Sequence, residues 1–104
     1  IKSRGHRIEL GDIETAMGGL GYLLDAVVVA IPDSRFGSLS VSCAYIPRDS
    51  EEVNPARIRG DLSAMLPSYM IPTGWCEFTS FPKNANGKID RIAIQDTIET
   101  ETAT

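Results

Sequence analysis

The stretch AVVVAIPDSRFGSLSVSCAYI, residues 26–46, decides the fold class. Its first part, Ala26 to Ile31, is an unbroken apolar run rich in β-branched residues and closed by Pro32-Asp33, which reads as a buried strand. Leu39 to Ile46 is a second strand, and RFGS (35–38) before it is a turn. Two apolar strands joined by so short a connection predict an antiparallel pair.

Helical patterns flank the pair. Upstream, Leu10, Ile13, Met17 and Leu20 recur at helical spacing, with Asp12 and Glu14 near the positive N-terminal end, and Gly18, Gly19 and Gly21 supply stop signals. Downstream, Pro47 and RDSEE form a solvated loop. Asn54-Pro55 then announces a second helix, because Asn caps free amides and Pro in the first turn has no amide to leave unpaired. Ile58, Leu62, Met65 and Leu66 form its expected buried stripe, Arg57, Arg59 and Asp61 its outer face, and Pro67 its end. SYMIPTG is expected to be extended, since residues before prolines avoid the helical region, with Tyr69 and Met70 packing inward. Trp75 to Phe78 reads as a short strand, Asp90 as the cap of a last helix running from Arg91 to about Ile98, and 99–104 as a flexible tail. The pattern is α+β: a small mixed or antiparallel sheet covered by helices in a single compact subdomain.

Composition excludes several classes. At 104 residues with a formal charge of −4 and no basic stripe, nucleic acid is not an expected partner. No run approaches the roughly 18 apolar residues of a membrane span, and IKSRGHRIEL lacks the apolar core of a signal peptide. Cys43 and Cys76 lie in apolar surroundings without metal-ligand spacing, which predicts buried thiols in a reducing, cytoplasmic compartment rather than a disulfide, and no metal site. Cys43, inside a strand, reads as a core residue and not a nucleophile. The polar, strand-like opening without an initiator Met suggests a segment of a longer protein.

The chemistry-bearing stretch is FPKNANGKIDR, residues 81–91. Asn86-Gly87 favours positive φ and a sharp bend, from which Lys88 projects between the short strand and the Asp90-capped helix. Lysine is a point charge on a flexible arm, suited to a phosphate or carboxylate oxygen it must reach. The alternative is an ordinary exposed lysine. A Walker A loop fails here: Pro82 stands where the first glycine is needed and Ile89 where a Mg²⁺-binding hydroxyl is needed. Lys83 reads as a solvated charge.

Three motifs occur in one order: IKSRGHRIELGDIE, LPSYMIP and FPKNANGKIDR. Together they resemble the closing motifs of the adenylate-forming superfamily, and most closely the adenylation domains of nonribosomal peptide synthetases. The resemblance runs from Ile1 to about Ile94. Asp12, where glutamate is commoner, and Lys83, where an apolar residue is commoner, are mild departures.

The resemblance implies a mobile C-terminal lid subdomain that works with a large N-terminal adenylation core. That reaction joins an amino acid or other carboxylate to the α-phosphate of ATP-Mg²⁺, and the acyl group then passes to the phosphopantetheine thiol of a peptidyl carrier protein domain. ATP and Mg²⁺ would be bound mainly by the core. Lys88 matches the catalytic lysine of N-G-K and would also meet the nucleotide phosphate; Arg7 matches a second phosphate contact; Arg4, Gly5 and His6 match the loop that faces the pantetheine arm. The hinge falls upstream of Ile1. Each front residue has a bland alternative: Gly5 as a turn residue, His6 as a solvated histidine, Arg7 as a partner of Glu9. Two further readings stay open, the lid of an acyl-CoA or aryl-acid ligase and a non-catalytic carrier-docking module. An RNA-binding sheet would need exposed aromatics among basic residues, and Tyr45 and Trp75 are too few.

Overall fold

The computed structural model describes residues 2–3, 6–33, 38–49 and 51–102, with backbone alone at 2, 3, 6, 33, 38, 101 and 102. In chain order the elements are β1 (Lys2–Ser3), β2 (His6–Arg7), α1 (Leu10–Gly18), β3 (Leu23–Asp33), β4 (Ser38–Pro47), α2 (Pro55–Leu62), a 3₁₀ turn (Ser68–Met70), β5 (Gly74–Glu77) and α3 (Arg91–Thr102). β3 and β4 are the expected antiparallel pair, in the register Val28 to Cys43. β5 lies on the other side of β4 and parallel to it, giving the order β3-β4-β5. The sheet is therefore mixed, and helices cover both its faces.

The unbroken apolar run in β3 follows from that layering. Val28, Val41, Cys43 and Tyr45 face one way, into a cluster with Ile13 and Met17 of α1 and Ile58 and Leu62 of α2. Val27, Val29, Ile31, Ala44 and Ile46 face the other way, against Ile94 and Ile98 of α3 and Phe81 of the preceding loop. A strand buried on both faces shows no polar alternation. Tyr45 is buried and Trp75 half-buried, so neither offers an exposed platform for a base. At the β4–β5 pairing a side chain is excluded at one point: a Cβ on Gly74 would collide with Ser42 Oγ and stand 3.1 Å from Ser42 Cβ. Glycine lets the strands pair there.

β3 runs through Pro32-Asp33, beyond the expected stop. The amides of Ala26 and Val28 point away from β4, since both are taken by side chains, Asp25 Oδ1 at 2.8 Å and Glu14 Oε2 at 2.8 Å. Strand periodicity puts Pro32 on that same outer edge, where its missing N–H breaks no ladder bond.

α2 is capped as expected, Asn54 Oδ1 accepting from the Arg57 amide at 2.9 Å, but it ends at Leu62 rather than at Pro67. Beyond Leu62 the ladder tightens to bonds such as Ala64 N to Asp61 O and Met65 N to Leu62 O. This tighter turn carries Met65 off the buried stripe to 49% exposure, while Leu66 still packs on the core. The expected outer face holds, since Arg57, Arg59 and Asp61 are all exposed, but two of them have a partner there. Tyr22 donates to Asp61 Oδ2 at 2.6 Å and the Arg57 guanidinium lies 3.8 Å from the centre of its ring, so α2 is tied to the segment after α1. Burial, then the Asp61 bond and charge, push the Tyr22 hydroxyl up to about 12.

SYMIPTG is not extended throughout. Met70 N bonds Pro67 O at 3.0 Å to form the 3₁₀ turn, and the pre-proline preference is visible only at Ile71, with ψ of 128°. Met70 packs on the core but Tyr69 turns out to 44% exposure. α3 starts at the predicted residue, with Asp90 Oδ1 accepting from the Ala93 amide at 3.0 Å, and continues past Ile98 to Thr102. Thr97 and Thr100 hydroxyls donate to the carbonyls of Ala93 and Asp96, so these mid-helix hydroxyls are satisfied within the helix. The turn expected at 35–38 lies outside the described residues, apart from the backbone of Ser38. No helix among the described residues is long and apolar enough to cross a membrane.

Candidate functional site

The Lys88 loop is a miniature hairpin rooted in the core. Phe81 is only 6% exposed and meets Phe78 edge to face, with ring centres 5.3 Å apart. Ile89 packs on the same cluster. Between these anchors Lys83 bridges Ile89, and the Asp90 amide donates to Pro82 O at 2.9 Å. Gly87 takes φ of +78°, the left-handed conformation expected of Asn-Gly, and donates to Asn84 O at 3.0 Å. Asn84 N donates to Lys88 O at 2.8 Å, and Asn84 Oδ1 accepts from the amides of Asn86 at 2.9 Å and Lys88 at 3.1 Å. Lys88 itself is exposed, and no carboxylate among the described residues forms an ion pair with it. The result is a fixed backbone carrying a free ammonium group.

The front segment is less fully defined. β1 and β2 pair Lys2 with Arg7 and Ser3 with His6. Arg4 and Gly5 lie outside the described residues, as does the side chain of His6. Arg7 donates from Nε to Glu9 Oε1 at 2.8 Å, with the two side chains 82% and 55% exposed, so the bland alternative for Arg7 is realised here. A pair so open to solvent contributes little, about 0–1 kcal/mol, and releases the guanidinium readily. Ile8, nearly fully buried, anchors the segment to α1.

Arg7 and Lys88 share no bonding partner among the described residues. Each precedes a helix, α1 and α3 respectively, and these helices cover opposite faces of the sheet. What joins the two halves is a pair with no assigned role in the sequence reading. Arg91 donates from both terminal nitrogens to Glu14, at 2.8 and 2.9 Å, and Glu14 also accepts from the Val28 amide. The two carry opposite charge in the first and third motifs, the only sequence signal that could have paired them. Burial raises the Glu14 carboxyl, but the Arg91 bonds, the Val28 amide and the Arg91 charge outweigh it and hold it below the usual value of 4.5.

Because the folded-state value is the lower one, the ionised Glu14 favours the native state above its unfolded value near 4.5, and that contribution is lost as pH falls through the folded value. Glu14→Gln should therefore cost about 1 kcal/mol near neutrality, the Arg91 side being half in water. The gap from the parent protein should be smaller at a pH below 4.5 than near neutrality. Urea midpoints at both pH values check this, and a gap unchanged with pH would contradict it.

Cys43 is fully buried, its thiol directed at Met17 Sδ, 3.3 Å away. Burial first, and then the Glu14 and Cys76 charges, push the thiol far above its ordinary range, as expected of a core residue. Neither cysteine forms a disulfide, and Cys76 is half-buried rather than buried as expected, because it lies on the edge strand β5.

The fold is that of a segment of adenylate-forming enzymes. A fatty acyl CoA synthetase of Mycobacterium tuberculosis superposes with a TM-score of 0.84 at 22% identity, over 97% of this chain and 20% of that one. The sequence relatives are more specific. The chain is 42% identical over 94 residues, 90% of its length, to surfactin synthase subunit 2 of Bacillus subtilis (strain 168). It is 40% identical over 96 residues, 92% of its length, to the probable non-canonical nonribosomal peptide synthetase CymA of Salinispora arenicola (strain CNS-205). The chain is thus homologous to the adenylation-domain region of nonribosomal peptide synthetases. It spans 2% and 1% of those two relatives. No family model matches it.

Proposed function

We propose that this chain is the mobile C-terminal subdomain of an amino-acid-activating adenylation domain and delivers Lys88 to the reacting phosphate. In the first half-reaction a carboxylate oxygen attacks the α-phosphorus of ATP, an O–P bond forms, and pyrophosphate leaves. Two anions must approach, and an ammonium between them offsets their repulsion most strongly once water is excluded. The observation that carries the reading is the braced hairpin holding Lys88 outward with no carboxylate partner among the described residues. Such a charge is free for a partner surface that this chain does not itself contain.

In the second half-reaction the carrier's pantetheine thiol attacks the adenylate carbonyl and AMP leaves. Arg7 and its neighbours Arg4, Gly5 and His6 are assigned to that step. Arg7 and Lys88 each lead into a helix, and those helices lie on opposite faces of the sheet, which supports a swing of the subdomain between the steps. ATP and Mg²⁺ would be held mainly by the core. Amino acids are favoured over fatty or aryl acids because the homologues at about 40% identity are peptide synthetases, whereas the acyl-CoA likeness is one of fold.

The test is to join the chain to an adenylation core. Amino-acid-dependent exchange of pyrophosphate into ATP should require the chain. Equal exchange by the core alone would refute the reading.

A further inference from the structure

We propose that Asn84 is the positioning residue of Lys88, a role that rests on the assignment of Lys88 above. Both backbone polar groups of Lys88 end on this one residue. The Lys88 amide donates to Asn84 Oδ1 at 3.1 Å, and the Lys88 carbonyl accepts from the Asn84 amide at 2.8 Å. The same carboxamide oxygen takes the Asn86 amide at 2.9 Å, and the Asn84 carbonyl takes the Gly87 amide at 3.0 Å. A carboxamide oxygen has two lone pairs, so its acceptor capacity is filled by the loop it organises.

The consequence lies in direction rather than in stability. Residues 83 to 88 are exposed, so each of these amides could bond water instead at little cost. Water would not hold the Lys88 peptide in one orientation. Asn84 brackets that peptide on both sides and thereby sets the Cα–Cβ vector from which a long, flexible arm starts. An ammonium displaced by about 1 Å from a reacting phosphate can lose on the order of 10²-fold in rate. The hairpin's apolar roots, Phe81 and Ile89, fix where the loop begins and ends; among the described residues only Asn84 reaches from one arm to the peptide that bears the lysine. A Lys88 without Asn84 is present but poorly aimed.

The experiment uses the core-joined enzyme with Asn84→Ala and Asn84→Asp. Asn84→Ala should speed exchange of the Asn86 and Lys88 amides and lower kcat for adenylation about tenfold with the KM for the carboxylate little changed. Thioester formation from supplied adenylate should stay at the parental rate. Asn84→Asp keeps an acceptor oxygen at the same reach and should restore protection of both amides. The proposal is overturned if adenylation is unchanged in Asn84→Ala, if both half-reactions fall together, or if Asn84→Asp leaves the amides as unprotected as alanine does. Lys88→Ala serves as the control. Unchanged adenylation there would remove the catalytic assignment of the lysine, while the amide-exchange result would still report whether Asn84 orders the loop.

Discussion

Lys88→Ala should lower the rate of acyl-adenylate formation in the core-joined enzyme by on the order of 10²-fold or more, the usual cost of deleting a preorganised charge donor. Thioester formation from supplied adenylate should change far less. The asymmetry comes from where charge meets charge. Adenylation brings a carboxylate against a phosphate, whereas the thiol attacks a carbonyl whose leaving group is already a stabilised phosphate monoester. Pyrophosphate exchange reads the first step and transfer from synthetic adenylate to a holo-carrier the second. Loss of both in parallel would mean that the substitution harmed the subdomain. That outcome is not expected, because the Lys88 side chain is exposed and the hairpin bonds around it use backbone atoms and Asn84. Lys88→Arg should recover little, since the planar fork is a different shape from a compact ammonium.

Phe81→Ala is the substitution expected to damage the fold most. The ring is nearly fully buried, packs on Val27, Val29, Ile31, Ile94 and Ile98, and meets Phe78 edge to face. Truncating such a phenylalanine removes transfer free energy and leaves a cavity, about 3–5 kcal/mol together. Against a total of about 5–15 kcal/mol for a domain, that is a large fraction. Urea or thermal unfolding measures it directly. Phe81 is also the root of the Lys88 hairpin, so adenylation should fall even at temperatures where the variant remains folded. A loss under about 1 kcal/mol would mean that the second cluster does not depend on this ring.

The parts of the fold legible in the sequence were those governed by local chemistry. Asn54 and Asp90 cap the helices they announced, and Gly87 takes the positive φ that Asn-Gly implies. The β3–β4 pairing followed from two apolar runs and a short link. The misreadings share a cause in tertiary context. Pro32 looked like a strand stop because the outer edge on which its missing amide is harmless is not visible locally. Met65 kept helical spacing with Leu62, yet the chain tightened after Leu62 and turned it out. Arg57 and Asp61 are exposed as their spacing implies, but their contacts with Tyr22, far off in sequence, are not visible locally. At the site, a motif could name Lys88, whereas Asn84 and the Glu14–Arg91 pair act through geometry that only the folded chain displays.

The outer margin of β3 decides how two copies of this chain can meet. An unpaired strand border is a template on which another copy can add itself. Here Asp25 and Glu14 occupy the amides of Ala26 and Val28, and Pro32 contributes none further along. The opposite border, β5, is only 4 residues long. Neither rim offers a continuous row of free donors for a neighbouring copy to zip onto. A second copy of this chain therefore meets no continuous ladder at either rim to extend.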